Sequence, residues 1–308
     1  MERLIRNDKF RIKLTDRCNL ACPFCHAEGG RNEKDLALGQ EFLTALELLR
    51  PLYGRVHLTG GEPLLYQNLN RLLDILQDFG FQTAITTNGL FSIDTCLPVL
   101  KRLEYVNVSV HSFQKRYVER LVGKWQDPEK TIAVIIQNLE TLSQMMPVRI
   151  NTLVSENREL QAIEEVLEFA AAHRIELKLV PEWSVRAAAE RNIRSFLKKN
   201  GFQLYETLYL RPGSNVRERY RNPSGQIVEV KRIDFFQPDF MCEGCGERDR
   251  CQEGFSFLRL GGDPLYFQPC IFRGKVGLDE FRQTVLPNLY KIFEEITEPC
   301  AGCAADRE

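Results

Sequence analysis

Three cysteines lie within eight residues of one another near the N-terminus, in the run Thr15-Asp16-Arg17-Cys18-Asn19-Leu20-Ala21-Cys22-Pro23-Phe24-Cys25. A short loop that gathers three thiolates suits three corners of a cubane iron–sulfur cluster and leaves the fourth iron open. An open metal position can chelate a further ligand, the property that separates catalytic from structural metal sites. Zinc is the alternative, but a structural zinc usually takes four protein ligands and no obvious fourth stands nearby; His26 is adjacent and reads as incidental. The chain holds ten cysteines. Cys96 stands alone in a helical pattern and reads as core. The other six are Cys242, Cys245, Cys251, Cys270, Cys300 and Cys303, so two metal centres or more are expected.

The elements that must position the first triplet follow from hydrophobic patterning. Short β-prone runs alternate with amphipathic helical stretches, which calls for a parallel sheet with helices outside. The expected strands are Phe10 to Leu14, Arg55 to Thr59, Gln82 to Thr86, Tyr105 to Val110, Val148 to Val154 and Glu176 to Val180. Each leads into a helical pattern; Leu69, Leu72, Leu73, Leu76 and Phe79 fall on one face before Gly80. Six βα units are two short of a full (β/α)8 barrel, so the fold class is α/β, a partial (β/α)6 TIM-type barrel, with a doubly wound sheet as the alternative. Either architecture brings the cysteine triplet, Gly60-Gly61-Glu62-Pro63 and Thr86-Thr87-Asn88-Gly89 to the C-terminal ends of the strands, on one face. Beyond about Phe202 an arginine-rich stretch with Pro212, Gly213, Pro223 and Gly225 reads as a boundary or linker. A hairpin is expected from Ser256 to Leu260 and Leu265 to Gln268, then a helix from about Asp279 to Glu295. The division is residues 1–205 as the barrel and residues 206–308 as a small C-terminal iron–sulfur module.

The 41 basic and 42 acidic residues nearly cancel, which points away from nucleic acid and anionic membranes as partners and towards a small substrate or a protein. Charges interrupt Met1 to Phe10, and no later run could span a bilayer, so a cytoplasmic protein is expected.

The Cys-x3-Cys-x2-Cys spacing together with Gly60-Gly61-Glu62-Pro63 resembles the radical S-adenosylmethionine (SAM) superfamily, over most of residues 10 to 185. The resemblance implies a 4Fe-4S cluster on Cys18, Cys22 and Cys25, with SAM on its open iron. It implies that Gly60, Gly61 and Glu62 receive the methionyl end, that Phe24 lies against the adenine, and that Ser109 and Trp183 meet the ribose and another side of the adenosine. For Ser109 and Trp183 ordinary packing is an equal alternative. Reductive cleavage of SAM would give a 5'-deoxyadenosyl radical that abstracts a substrate hydrogen, and a donor such as flavodoxin or ferredoxin would supply the electron.

Within the superfamily, the Thr-Asp-Arg-Cys-Asn-Leu opening, Ile85-Thr86-Thr87-Asn88-Gly89 and Asn107-Val108-Ser109 resemble the molybdenum-cofactor GTP 3',8-cyclase family. That resemblance implies a substrate face in which Arg11 and Thr86 match family positions and Arg149 replaces a lysine. His57 stands where the family has an arginine, and neutral imidazole is a poorer phosphate clamp. Acidic residues interrupt the segment after Cys245, and Cys300-Ala301-Gly302-Cys303 stands in place of the Gly-Gly tail. A related but altered substrate is therefore expected, a nucleotide or sugar carried to a cyclised or rearranged product in cofactor or natural-product biosynthesis.

Cys242, Cys245, Cys251 and Cys270 are similar in spacing to the auxiliary-cluster modules called SPASM and Twitch. Four cysteines can ligate a second 4Fe-4S cluster, three would leave an iron open for substrate, and structural zinc is the alternative metal. The roles of Cys300 and Cys303 stay open. Two competing readings remain: a maturase that modifies a ribosomal peptide, against which no leader-binding domain is apparent, and a noncatalytic zinc or iron–sulfur protein, against which the Gly60 to Pro63 segment speaks.

Overall fold

Strands β1 (Glu2–Arg6) and β2 (Lys9–Lys13) are joined by Asn7 and Asp8 alone, yet they occupy nearly opposite ends of one sheet. The computed structural model describes residues 1–25, 34–122, 126–156, 160–234, 236–251 and 253–297. His26, Cys300 and Cys303 lie outside the described residues. After β2 come β3 (Arg55–Thr59), β4 (Gln82–Thr87), β5 (Tyr105–Ser109), β6 (Val148–Val154) and β7 (Glu176–Pro181), each parallel to the one before it. They are the six strands expected, with bounds that differ by no more than one residue. Helices α1 (Gln40–Leu49), α2 (Leu69–Asp78), α3 (Ile93–Leu100), α4 (Lys115–Val122), α5 (Pro128–Ser143), α6 (Leu160–Ala172) and α7 (Arg186–Lys199) make the crossovers. Gly80 ends the α2 segment at φ +73°, with the Phe81 N–H donating to the Leu76 carbonyl at 2.9 Å. A left-handed glycine just past the last apolar position is the standard helix stop.

The strand period of two divides the sheet into two faces. Phe10, Ile12, Val56, Leu58, Ile85, Val106, Val108, Ile150, Leu177 and Leu179 point to the helices and share one core with Leu46, Leu72, Leu76, Leu139 and Val166. Their neighbours along each strand form the inner face, and there the residues are polar: Arg11 opposite His57, Asn107 opposite Arg149, Asn151 opposite Lys178. The result is a partial TIM-type barrel with a polar lumen.

The segment after Phe202 corrects the linker reading. It forms β8 (Gln203–Arg211), β9 (Asn215–Arg221) and β10 (Ile227–Ile233), an antiparallel meander whose last strand joins β7 in parallel. The arginines that suggested an exposed linker face inward, where Arg217 and Arg219 lie 3.7 Å from the oxygens of buried Glu229 and Arg219 is 3.1 Å from Glu206. Pro212-Gly213 and Pro223 to Gly225 are the turns between these strands, and the 205/206 division runs through β8. β1, also unforeseen, pairs in parallel with β8. The expected hairpin is β11 (Arg259–Gly261) with β12 (Tyr266–Gln268), and β11 adds to β2 in parallel. Before it lies α8 (Asp239–Cys242); after it, α9 (Leu278–Glu280) continues through a wide turn at Phe281–Val285 into α10 (Leu286–Thr297).

Because three Cα–Cα steps span at most about 11 Å, the Asn7-Asp8 link draws the two ends of the sheet together. Asn7 pins that seam: its N–H donates to the Arg211 carbonyl at 2.6 Å, and its side-chain amide donates to the Pro212 and Ser256 carbonyls at 2.9 and 3.3 Å. Replacing Asn7 by Ala leaves buried carbonyls without their donor. A loss of about 1–3 kcal/mol is expected, measurable as a lower denaturation midpoint in urea with an unchanged slope.

Candidate active site

Directly after β2 the chain turns across the C-terminal ends of the strands, and the end of β3 receives it. The Gly61 N–H donates to the Thr15 carbonyl at 2.7 Å, and the Glu62 N–H to the Arg17 carbonyl at 2.7 Å. A Cβ on Gly60 would sit 2.7 Å from the Thr15 oxygen, and one on Gly61 2.7 Å from the Asp16 oxygen. Contacts that short exclude any side chain, so the glycine pair is required by the approach of the cysteine loop itself. Lys13–Asp16 and Arg17–Asp35 ion pairs, each 2.6 Å, hold the loop's entry.

Glu62 is 1% exposed. Its Oε1 accepts from the Leu64 N–H at 3.1 Å and the Thr87 hydroxyl at 2.8 Å, and Oε2 accepts from the Asn88 N–H at 2.8 Å. Burial pushes its carboxyl up to about 7, and these three donors oppose that rise. The carboxylate therefore ties the end of β4 to the end of β3, with Asn88 as the joint. The Asn88 amide donates to Asn19 Oδ1 at 2.7 Å and reaches Cys18 Sγ at 3.8 Å, and its own Oδ1 accepts the Leu90 N–H at 2.9 Å.

Cys18 and Cys25 are exposed and Cys22 is half-buried. Burial pushes the Cys22 thiol up to about 12, and the charges of Cys18 and Cys25 add to the rise. Burial also raises Cys18, helped by Glu62 and Cys25 and opposed by the Leu20 N–H donated to its sulfur at 3.4 Å. Ionising Cys18 or Cys22 beside the neighbouring thiolates is thus disfavoured, and a bound cation relieves that repulsion. Among the described residues no three His, Cys, Asp or Glu side chains close into a finished cation cage. The donor set is nevertheless all thiol, on one loop, with a backbone N–H directed at a sulfur, which fits an iron–sulfur cluster.

Beside the loop, Pro23, Phe24, Tyr117, Leu153, Ser155 and Glu182 help line a cavity of about 350 Å³. Ser109 lines a smaller one with Cys22 and Asn88. Trp183, 47% exposed, stands outside these residues and packs on Phe272, ring centroids 5.6 Å apart.

The inner face of the sheet continues below. His57, 4% exposed, shares a 2.7 Å hydrogen bond with Thr86. Arg149 pairs with Glu176 at 2.9 Å and lies 4.5 Å over the Tyr105 ring, while Arg11 lies 4.5 Å over the Phe257 ring. Lysines absent from the sequence expectation join them. Burial holds Lys9 well below its ordinary range, and Arg217, Lys178, Arg11 and Arg149 all push the same way. Burial likewise lowers Lys178, partly offset by Glu229 at 2.6 Å, and brings Lys231 down to about 8. Burial would raise Glu229, but Lys178 and Arg217 outweigh it and hold the carboxyl at about 2. Among the described residues the cations Lys9, Arg11, Arg149, Lys178, Arg217, Arg219, Lys231 and Arg259, with Arg3 reaching Glu206 from β1, outnumber the carboxylates Glu176, Glu206, Glu229 and Glu253 around them.

The second cysteine group gathers at the edge of the sheet. Cys242 ends α8, Cys270 follows β12, and both are buried. Burial and the charges of Cys270, Cys251 and Cys245 push the Cys242 thiol up to about 11. Backbone N–H groups of Gly254 and Phe272 donate to the sulfurs of Cys251 and Cys270 at 3.2 and 3.4 Å. Arg273 joins the halves by donating to the Met241 and Glu243 carbonyls at 2.7 and 2.8 Å. Cys96 packs against the core.

Comparison with known proteins agrees with this geometry. Residues 12–170 match the family model described as the radical SAM superfamily. A protein of Sulfurisphaera tokodaii named "Probable GTP 3',8-cyclase" is 30% identical over 321 aligned positions, covering 95% of this chain and 93% of that protein. A protein of the same name from Saccharolobus solfataricus is 27% identical over 252 positions, covering 77% of this chain and 78% of its own length. Among solved structures, Streptococcus suis SuiB bound to precursor peptide SuiA shares the fold, with a TM-score of 0.60 at 16% identity, over 96% of this chain and 67% of SuiB. The chain belongs to the radical SAM superfamily, on its GTP 3',8-cyclase-like branch. It is an enzyme of a class that uses a 4Fe-4S cluster and SAM. No helix among the described residues is long and apolar enough to cross a membrane.

Because the Glu62 carboxyl is raised in the folded state, its contribution to stability is present below its unfolded value and lost as pH rises through about 7. Thermal midpoints of the metal-free protein should fall as pH rises from about 4.5 to about 7, and Glu62→Gln should flatten that slope.

Proposed function

We propose that this radical SAM enzyme acts on a small, multiply anionic molecule of nucleotide or sugar-phosphate type, abstracting a hydrogen to begin a cyclisation or rearrangement in cofactor or natural-product biosynthesis. The observation that carries this reading is the inner face of the sheet, where, among the described residues, cations outnumber carboxylates. Such an excess is costly unless an anion completes it. The names of the relatives support a nucleotide in particular.

In this reading Cys18, Cys22 and Cys25 hold the catalytic cluster, and Gly60 and Gly61 offer the backbone edge that meets the methionyl end of SAM. A 4Fe-4S cluster held by these three thiols would supply there the one-electron reduction of SAM, with the electron drawn from a carrier such as flavodoxin or ferredoxin, that gives methionine and a hydrogen-abstracting 5'-deoxyadenosyl radical. Glu62 keeps the cysteine loop and the end of β4 in one frame, and its filled hydrogen bonds favour that role over direct contact with the SAM ammonium. Phe24 and Ser109 line the two cavities beside the loop and form the adenosine walls. Arg11, Arg149, Lys9 and Lys178 bind the anionic end of the substrate, while the His57–Thr86 pair presents a neutral hydrogen-bonding edge. The part from residue 206 onward supplies a second cluster on Cys242, Cys245, Cys251 and Cys270.

Two measurements test this. After anaerobic reconstitution with iron and sulfide, dithionite-reduced wild type should release 5'-deoxyadenosine from SAM, and a Cys18→Ala, Cys22→Ala, Cys25→Ala variant should not while keeping part of its iron. Protein that fills with zinc and never cleaves SAM would overturn the assignment. Lys9→Met should weaken tripolyphosphate binding by about tenfold and raise the thermal midpoint of the ligand-free protein by roughly 2–4 °C, since it removes a cation that folding disfavours. Unchanged tripolyphosphate affinity would remove the anionic substrate from the proposal.

A further inference from the structure

His111 lies where three walls of the site meet. The β5–β6 ladder ends with Ser109 opposite Asn151, followed by the Val110 N–H donated to the Asn151 carbonyl at 3.1 Å and the Thr152 hydroxyl donated to the Val110 carbonyl at 2.6 Å. The next inward residue on β6 is Leu153, whose N–H donates to His111 Nδ1 at 3.1 Å. An Nδ1 that accepts this bond leaves the proton on Nε2, so one neutral tautomer is selected. The other side of the ring meets the cysteine loop: Phe24 stands perpendicular to it, centroids 4.9 Å apart at 90°. Tyr117 of α4 approaches at 6.5 Å.

The placement matters because of what each partner lines. Phe24, Tyr117 and Leu153 all face the 350 Å³ cavity, whereas His111 faces the smaller cavity shared with Cys22, Ser109 and Asn88. The imidazole is thus a partition between the two spaces. An edge-to-face aromatic contact has a strong angular preference, so the partition also sets the plane of the Phe24 ring. We infer that His111 is a positioning residue for SAM, which holds the Phe24 platform and the Leu153 end of β6 at the separation that admits the adenosine. This rests on the proposed use of Phe24 as an adenosine wall.

The test uses anaerobically reconstituted holoenzyme, with SAM affinity from equilibrium dialysis, KM and kcat from 5'-deoxyadenosine release, iron content, and amide exchange at Leu153 in the metal-free protein. His111→Ala should raise the Kd and KM for SAM about five- to tenfold, leave kcat at saturating SAM and iron content within twofold, and accelerate exchange at Leu153. His111→Asn, whose Oδ1 can take the place of Nδ1, should restore slow exchange and recover part of the affinity. Unchanged SAM affinity in both variants would overturn the inference. So would loss of iron in step with loss of SAM, because His111 would then support the cluster loop instead. Wild-type protein that binds no SAM would bring down the radical SAM reading and this inference together, an outcome separated from the others by the wild-type arm alone.

Discussion

A link of two residues between β1 and β2 governs the molecule. It joins strands that are nine places apart in the sheet order, and no flat sheet can satisfy it. The sheet must curl until its ends nearly meet, with helices on the outside where Phe10, Val56, Ile85 and Leu177 find an apolar partner. Curling converts the inner face into a lumen. Charges that would be ordinary on an open surface become close neighbours there, and burial together with the surrounding cations lowers Lys9, Lys178 and Lys231.

At the upper edge a second constraint acts at shorter range. The cysteine loop approaches β3 so closely that only glycine fits at positions 60 and 61, and Glu62 then carries the register onward to Thr87 and Asn88. The Gly-Gly-Glu segment is therefore a backbone device before it is a ligand device. It fixes the stretch that leads into Cys18 through main-chain bonds to Thr15 and Arg17, which are insensitive to side-chain rotamers.

Much of this was legible in the sequence, for reasons that also explain what was not. Apolar residues alternating over Arg55–Thr59 and Val148–Val154 mark strands whose bounds the structure reproduces. The cysteine triplet and the glycine pair stand out because few structures require those residues at that spacing. Strand β9, Asn215–Arg221, was illegible because its inward residues are Arg217 and Arg219, and an arginine in a sheet looks exposed until its carboxylate partners are known. Those partners, Glu206 and Glu229, lie on other strands. His111 is silent in the sequence for a similar reason: one histidine after a strand has no periodic or spacing signal, and its meaning comes from Phe24 and Leu153, brought there by the fold. Lys9 was hidden by its position at the start of β2, among charged residues that argued only against a signal peptide.

The shared carboxylate of Glu229 has a further consequence. It is approached at once by Lys178, Arg217 and Arg219, so it acts as the common counter-ion of a lumen that has too few. Lys178 belongs to β7, Arg217 and Arg219 to β9, and Glu229 itself to β10, so one carboxylate ties three neighbouring strands together through their side chains as well as through their ladders. That wall of the barrel is therefore cross-braced at a single atom group, and a change at Glu229 is felt on all three strands at once.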